Sequence, residues 1–183
     1  MKYLAGYLVH LWGTTVHKFW VALFILRFCC RLGNQARDQF VRQTIEQLAK
    51  RALTHDLSKY RWSEAHYFAL TIFDLWQTTY GSPEYQAELR RIKPAIDLHY
   101  QRNRHHPEHF AGGFYKMDVI DVVEMVADWC ASVRRHKDGD IHRSITLNQT
   151  RFGYSDRFAL SLRSMAEIML NTEKEATHAN CPE

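Results

Sequence analysis

Apolar residues recur at helical spacing along most of the chain, and this pattern predicts a succession of α-helices. A clear example is the helix predicted over about residues 36–54. Its apolar positions lie on one side of a helix: Phe40, Val41, Ile45, Leu48, Ala49 and Ala52. Other helices are predicted over about 2–32, 63–80, 83–103 with a kink at Pro94, 117–136 and 156–171. These elements predict an all-α fold, with one compact helical bundle over residues 1–175 and a frayed tail at 176–183.

Glycine and proline are scarce and lie mostly between the predicted helices. The chain has 8 glycines and 4 prolines, too few for a many-turned β-sandwich. Gly33-Asn34 is a typical helix stop, and Gly81-Ser82-Pro83 breaks the chain before the fourth helix. The segment HHPEHFAGGFYK is expected to be a loop, and KDGD at 137–140 a turn. No change of composition marks a linker between domains.

The first predicted helix contains the most apolar run of the chain, FWVALFILRFCC at 19–30. The run is too short to span a bilayer, Arg27 interrupts it, and Lys18 and Arg31 flank it. No small-residue cleavage site follows it. We expect a buried core helix and no transmembrane segment. Peripheral contact with a membrane is the alternative.

Composition and charge exclude some classes of function. Among 183 residues, 46% are hydrophobic and 13% aromatic, which argues against disorder. The net charge of +4 is spread along the chain, so specific binding of nucleic acid is not expected, whereas a small phosphorylated ligand is compatible with it. The four cysteines match neither a zinc knuckle nor a redox motif, which favours reduced thiols in the cytoplasm. A homodimer is left open.

The adjacent pair His55-Asp56, followed by Lys59, is the strongest local signal for chemistry. Neighbouring side chains point apart in a regular helix or strand, so the two converge on one ion only at an irregular position such as a helix end. A histidine nitrogen with a carboxylate oxygen suits Mn, Fe, Mg, Co or Zn. The alternative is that Asp56 caps the next turn and His55 has no role.

Acidic residues also interrupt an otherwise apolar helix, in the sequence MDVIDVVEMVADWCAS. At 100° per residue, Asp121, Glu124 and Asp128 fall on one face, and apolar residues occupy most of the rest. Burial of isolated carboxylates costs several kcal/mol unless they are paired or bind a metal. We expect a buried functional stripe. The alternative is an acidic stripe facing solvent.

Histidines provide the third signal. His99 and Asn103 lie one helical turn apart, and His105, His106 and His109 follow within a few residues. This density suits a metal or phosphate site, although a surface cluster would look the same. His17, on the apolar first helix, is by itself more typical of a hydrogen-bonded core residue.

Taken in chain order, these residues resemble the HD-domain superfamily of helical metal-dependent phosphohydrolases. The order is His17, His55-Asp56 with Lys59, His99, His105-His106 and then Ala127-Asp128. HDLSK, NRHHPEH and the acidic helix more closely resemble a family of small bacterial and phage proteins with no assigned function, over most of residues 14–135. His105-His106 lies closer to Asp128 than in two-metal HD proteins, and the signature of cyclic-dinucleotide phosphodiesterases is absent.

The superfamily resemblance implies one or two divalent ions per chain and hydrolysis of a small phosphate ester, for example a nucleotide. His17, His55, Asp56 and Asp128 would hold one ion, while His99, His105 and His106 would bring a second through Asp56. Glu124 or Asp121 could accept a proton or orient a ligand. Phosphate charge could be neutralised by Lys59 and by Arg102, Arg104, Arg134 or Arg135. A di-iron oxygenase on the same scaffold, or a metal- or nucleotide-binding protein without turnover, are the alternatives.

Overall fold

The computed structural model describes residues 2–33, 38–79, 82–135 and 139–170. Several predicted features lie outside these residues. They are the frayed tail at 176–183, the stops at Asn34 and Gly81, the helix ends at residues 36, 136 and 171, and half of the 137–140 turn.

The described residues form α-helices and short 3₁₀ helices and contain no β-strand, so the predicted all-α class is confirmed. The eight α-helices are α1 (Lys2–Gly33), α2 (Gln39–Thr54), α3 (Trp62–Trp76), α4 (Pro83–Arg91), α5 (Lys93–Arg102), α6 (Val119–Val133), α7 (Ile141–Phe152) and α8 (Asp156–Leu170). The 3₁₀ helices are Leu57–Tyr60, Pro107–His109 and Gly113–Lys116. None of the described helices is long and apolar enough to cross a membrane.

Two helices differ from the sequence-based expectation. The single helix predicted over 83–103 is divided into α4 and α5 at Ile92 (φ −104°, ψ 13°). Pro94 has no N–H to donate to the Arg90 carbonyl, so the helical bonding cannot continue across this point. Helix α7 was not predicted, because its face is polar apart from a few positions such as Ile141 and Ile145. Asp140 begins α7 by accepting hydrogen bonds from two backbone N–H groups of its first turn.

Helices α1 and α6 form the centre of the bundle. Helix α1 packs against α2, α3, α6 and α8. Val21, Phe24 and Ile25 of α1 are buried in the same cluster as Val123 and Val126 of α6. The expected core helix at the N-terminus is therefore found, but only on one side of α1. The opposite side remains exposed.

Candidate metal centre

The His55-Asp56 pair lies at the irregular end of α2. His55 closes the helix by donating its backbone N–H to the Arg51 carbonyl at 2.8 Å. Asp56 then adopts a left-handed conformation (φ 54°, ψ 19°), the only positive φ of a non-glycine residue in the described part of the chain. Such a conformation costs about 1–3 kcal/mol. It turns both side chains inward, where His55 is 1% and Asp56 0% exposed.

The Asp56 side chain makes no capping hydrogen bond to the following 3₁₀ helix, so the alternative role considered for it does not apply. Its carboxylate instead faces histidines from other elements. Oδ1 lies 3.3 Å from Nε2 of His99 and 3.6 Å from Nε2 of His105, and Oδ2 lies 3.5 Å from Nε2 of His55. Asp56 is therefore placed between two sets of possible ligands.

The first set joins the HD pair to α1 and α6. It comprises His17, His55, Asp56 and Asp128, all buried, and one ligand atom of each lies within 4.8 Å of the others. Nε2 of His17 is 2.7 Å from Oδ1 of Asp128, and Nε2 of His55 is 3.7 Å from the same oxygen. Two imidazoles and two carboxylates at this spacing could hold a divalent ion.

The second set joins Asp56 to α5 and the segment after it. It comprises Asp56, His99, His105 and His106, with ligand atoms again within 4.8 Å of one another. Nε2 of His99 and Nε2 of His106 are 3.0 Å apart. The remaining histidine of this region, His109, lies outside the set, with Nδ1 3.2 Å from the Tyr100 carbonyl. The two sets share Asp56.

Several buried atoms of these sets have no hydrogen-bond partner among the described residues. They are Nδ1 of His17, Nε2 of His55, Oδ1 of Asp56 and Nε2 of His105. A buried polar atom left unpaired costs about 1–3 kcal/mol. Three of these atoms, Nε2 of His55, Oδ1 of Asp56 and Nε2 of His105, belong to neighbouring ligands of the two sets, and each could bind a divalent cation. The donor set therefore fits a metal ion.

Glu124 supports one histidine from each set. Its Oε1 lies 2.9 Å from Nδ1 of His55 and 3.4 Å from Nδ1 of His105. A carboxylate beside Nδ1 keeps the proton there and directs Nε2 towards the ligand position. Oε2 of Glu124 lies 2.6 Å from Nε of Arg51, so both carboxylate oxygens are engaged. Burial alone would raise the pKa of Glu124, but His105 and His55 lower it to about 2.

Glu64 performs the same task for His99, although the sequence pattern indicated for it only a place near the start of a helix. It is fully buried, with Oε2 3.0 Å from Nδ1 of His99 and Oε1 accepting from Arg102 at 2.9 Å. Ser58 donates to Oε2 at 2.9 Å, and the Asn103 amide donates to Ser58 at 2.8 Å. The argument used for Asp128, an acid on an otherwise apolar helix, would have found Glu64 on α3.

Asp121 is buried with Glu124 and Asp128, so the predicted burial of the acidic stripe is confirmed. Its carboxylate lies outside both sets. It accepts from Arg51 at 2.5 Å and from Arg104 at 2.8 Å, and it forms a capping box with Asp118 at the start of α6. Arg51, which no sequence pattern indicated, therefore connects Asp121 to Glu124.

The structure places some of the basic residues predicted to bind phosphate beside the ligand sets and others away from them. Lys59 lies beside the shared carboxylate, with Nζ 2.5 Å from Oδ2 of Asp56. Arg102 is bound to Glu64, Arg104 to Asp121, and the Arg134 guanidinium lies 3.8 Å from the centre of the Trp20 ring. These three arginines are engaged away from both sets.

Arg135 differs from those three arginines. Part of its side chain is exposed, but burial of the guanidinium lowers its pKa. Among the described residues this guanidinium makes neither a hydrogen bond nor an ion pair, although its charge acts on Asp128 and Asp56. Burial and the positive charge of Arg135 lower the pKa of His17 to about 3. Arg135 is therefore a cation near the site that remains available to a ligand.

The charges of the first set favour neutral His17 beside ionised carboxylates. The pKa of Asp128 is well below its usual value; burial acts against this, and the hydrogen bond from His17 together with the nearby His55 imidazole overcomes it. Burial would lower the pKa of His55, but Asp56, Asp128 and Glu124 together raise it to about 9. In the metal-free protein His55 thus carries a proton that an ion would displace.

Comparison with known proteins yields one family. A family model described as a family of unknown function, DUF5662, matches residues 14–175. The matched range includes all seven residues of the two sets and both supporting glutamates. The chain matches no curated protein and no solved structure.

Proposed function

We propose that this chain, which belongs to the DUF5662 family of unknown function, is a metal-dependent phosphohydrolase acting on a small phosphate ester such as a nucleotide. The observation that carries the proposal is the position of Asp56, shared by two sets of ligands that could each hold a divalent ion. Ions bridged by one carboxylate are a recurring arrangement for displacement at phosphorus.

The order of the ligands along the chain adds support. His17, His55-Asp56, the three histidines at 99, 105 and 106, and Asp128 follow the order of the HD-domain superfamily. In the structure, residues up to 111 positions apart contribute to one set. An HD-like assignment accounts for this convergence and for the helical elements that carry it.

Divalent ions held by the two sets would supply an activated water and polarise a phosphoryl oxygen. Basic side chains of the protein would neutralise the remaining negative charge of the phosphate. Lys59 lies beside Asp56, and Arg135 is the one predicted arginine that has no hydrogen bond, ion pair or aromatic-ring contact among the described residues. We assign these two residues to phosphate binding and not Arg102, Arg104 or Arg134.

Glu124 and Glu64 orient histidines in this proposal and do not transfer protons. Both oxygens of Glu124 are engaged by His55, His105 and Arg51, and its low pKa makes it a weak base. Both oxygens of Glu64 are likewise engaged. Asp121 contacts neither set of ligands; it acts only through Arg51, which also pairs with Glu124.

Elemental analysis of the purified protein, followed by a phosphate-release screen over nucleotides and other phosphate monoesters, tests the proposal. We expect bound divalent metal and phosphate release, both lost in the double variant His55→Ala/Asp56→Ala. The variant Arg134→Gln should retain both, because this residue packs on Trp20.

The outcomes separate the proposal from its alternatives. A chain with no affinity for Mn, Fe, Co, Mg or Zn would rule it out. Two irons per chain with oxygen consumption and no phosphate release would identify an oxygenase. A nucleotide retained unchanged by the metal-loaded protein would identify a binding protein.

A further inference from the structure

The outer side of α1 carries an apolar surface that no described element covers. Five of its exposed residues repeat at intervals of four or seven, which places them on one face of the helix. They are Leu4, Leu8, Trp12, Phe19 and Leu26, with exposures of 63%, 59%, 71%, 61% and 58%. An apolar helix face of this size is typically covered by another surface, and no described element covers this one.

The apolar face extends sideways beyond α1. Thr15 meets the Tyr60 hydroxyl at 2.8 Å, and Lys18 donates to the Leu53 carbonyl. The Trp62 ring lies 6.1 Å from that of Tyr7. These contacts bring three further exposed apolar residues to its edge: Leu53, Leu57 and Trp62. We call the exposed residues of α1 with these three the α1 face.

The inner side of α1 fixes the helix within the fold. His10, Thr14 and His17 are each 5% exposed or less, and His17 contacts Asp128 of α6. The outer side of α1 can therefore contact another surface while its inner side remains packed on the bundle. The apolar side chains of the outer side thus point away from the bundle, where they could insert among lipid headgroups as the apolar face of an interfacial helix does.

The charged residues of α1 and of residues 50–62 indicate what kind of partner could bind the α1 face. Helix α1 contains four basic residues and no Asp or Glu: Lys2, Lys18, Arg27 and Arg31. In residues 50–62 the charged residues are Lys50, Arg51, Lys59, Arg61 and Asp56, and the single carboxylate is fully buried. The exposed charged residues that the structure describes in the two segments are Arg31, Lys50 and Arg61, all positive. Arg27, Arg51 and Lys59 are instead engaged by Met169, by Asp121 and Glu124, and by Asp56. Two copies packed through α1 would bring like charges together, whereas an anionic surface would attract them.

We propose that the α1 face docks the protein on an anionic lipid surface. Trp12 and Phe19 enter the apolar boundary of the lipid, and Lys18, Lys50 and Arg61 bind the headgroups. The proposal concerns a surface separate from the metal centre, so it stands or falls independently of the phosphohydrolase assignment.

Flotation with lipid vesicles tests the proposal on the full chain. We expect the protein to float with phosphatidylcholine vesicles that contain phosphatidylserine, to float much less with pure phosphatidylcholine, and to be released by raised salt. Trp12→Gln/Phe19→Gln should reduce partitioning more than about tenfold, since two large apolar side chains lose their burial in lipid.

The matched control removes two exposed apolar residues elsewhere. Leu147→Gln/Leu160→Gln alters residues that are 47% and 64% exposed on α7 and α8, and it should float like the wild type. Circular dichroism melting verifies that both variants fold. Absence of flotation, equal flotation with both vesicle types, or equal flotation of all variants would overturn the proposal.

Sedimentation velocity separates the lipid from a second copy of the chain. A concentration-dependent dimer that Trp12→Gln/Phe19→Gln abolishes, without flotation of the wild type, would identify the α1 face as a contact between copies. That result would also overturn the proposal.

Discussion

The Glu124 carboxylate lies 2.9 Å from Nδ1 of His55, although the two residues are 69 positions apart in the chain. The same oxygen lies 3.4 Å from Nδ1 of His105. One carboxylate on α6 thus orients a histidine of each ligand set. Removal of its charge should affect both sets together.

Glu124→Gln should therefore weaken metal binding by about 10–100-fold at both sets, because an amide can present its N–H to Nδ1 and favour the wrong tautomer. Isothermal titration calorimetry with Mn²⁺ or Zn²⁺ measures the change. Glu46→Gln, on the exposed side of α2, is the control and should bind like the wild type. Unchanged affinity in Glu124→Gln would show that Glu124 does not support the ligands.

Asp56→Asn tests the sharing of one residue by two sets. Asparagine tolerates the left-handed conformation of residue 56, so the fold should persist while both ions are lost. Asp128→Asn should remove only the ion of the first set, and His106→Ala only that of the second. Metal stoichiometry by elemental analysis after gel filtration distinguishes the three variants. Retention of one full equivalent in Asp56→Asn would contradict a bridging role.

Arg51→Gln should destabilise the metal-free protein by about 3 kcal/mol, because Asp121 and Glu124 lose a partner to which both are paired. Arg104→Gln is the matched control. Arg104 also pairs with Asp121, but it is 44% exposed and Arg51 remains in place, so its loss should cost less than about 1 kcal/mol. Urea denaturation with EDTA present gives both values. Equal losses of unfolding free energy in the two variants would show that the pairing of Arg51 with both carboxylates adds no extra stability.

Metal binding should release a proton from His55. Its pKa of about 9 means that the metal-free residue is protonated at pH 7, whereas an ion binds the neutral form. The apparent affinity should therefore rise as the pH increases towards about 9. His17, with a pKa of about 3, is neutral throughout this range and adds no dependence. Calorimetry in buffers of different ionisation enthalpy counts the protons, and no release at pH 7 would refute the expectation.

Helix positions were predictable where apolar residues repeat, as in α2 and α6, because the repeat reflects burial of one side against the bundle. Helix α7 was missed since its inward positions include polar Asn148, which is buried without adding to an apolar repeat. The break at Ile92 was predicted only as a kink at Pro94. Because Pro94 lacks an N–H, the Arg90 carbonyl one turn earlier loses its helical hydrogen-bond donor, and the helix is therefore interrupted before the proline and not at it.

The ligand candidates could be read from the sequence, but their supporting residues could not. His55-Asp56 was informative because a helix end was predicted beside it, and Asp128 because it interrupts an apolar helix. Arg51 looks like any basic residue on a helix surface. Its contacts with Asp121 and Glu124, 70 and 73 positions later, depend on how α2 crosses α6, and a single sequence does not contain that crossing.

His17 and Phe19 are two residues apart on α1, and at 3.6 residues per turn they point to nearly opposite sides of the helix. One reaches Asp128 in the interior, and the other is 61% exposed. An axial shift of α1 caused by contact at its outside would change the 2.7 Å separation of His17 and Asp128. One helix thus joins the outer surface of the molecule to a candidate ligand in its interior.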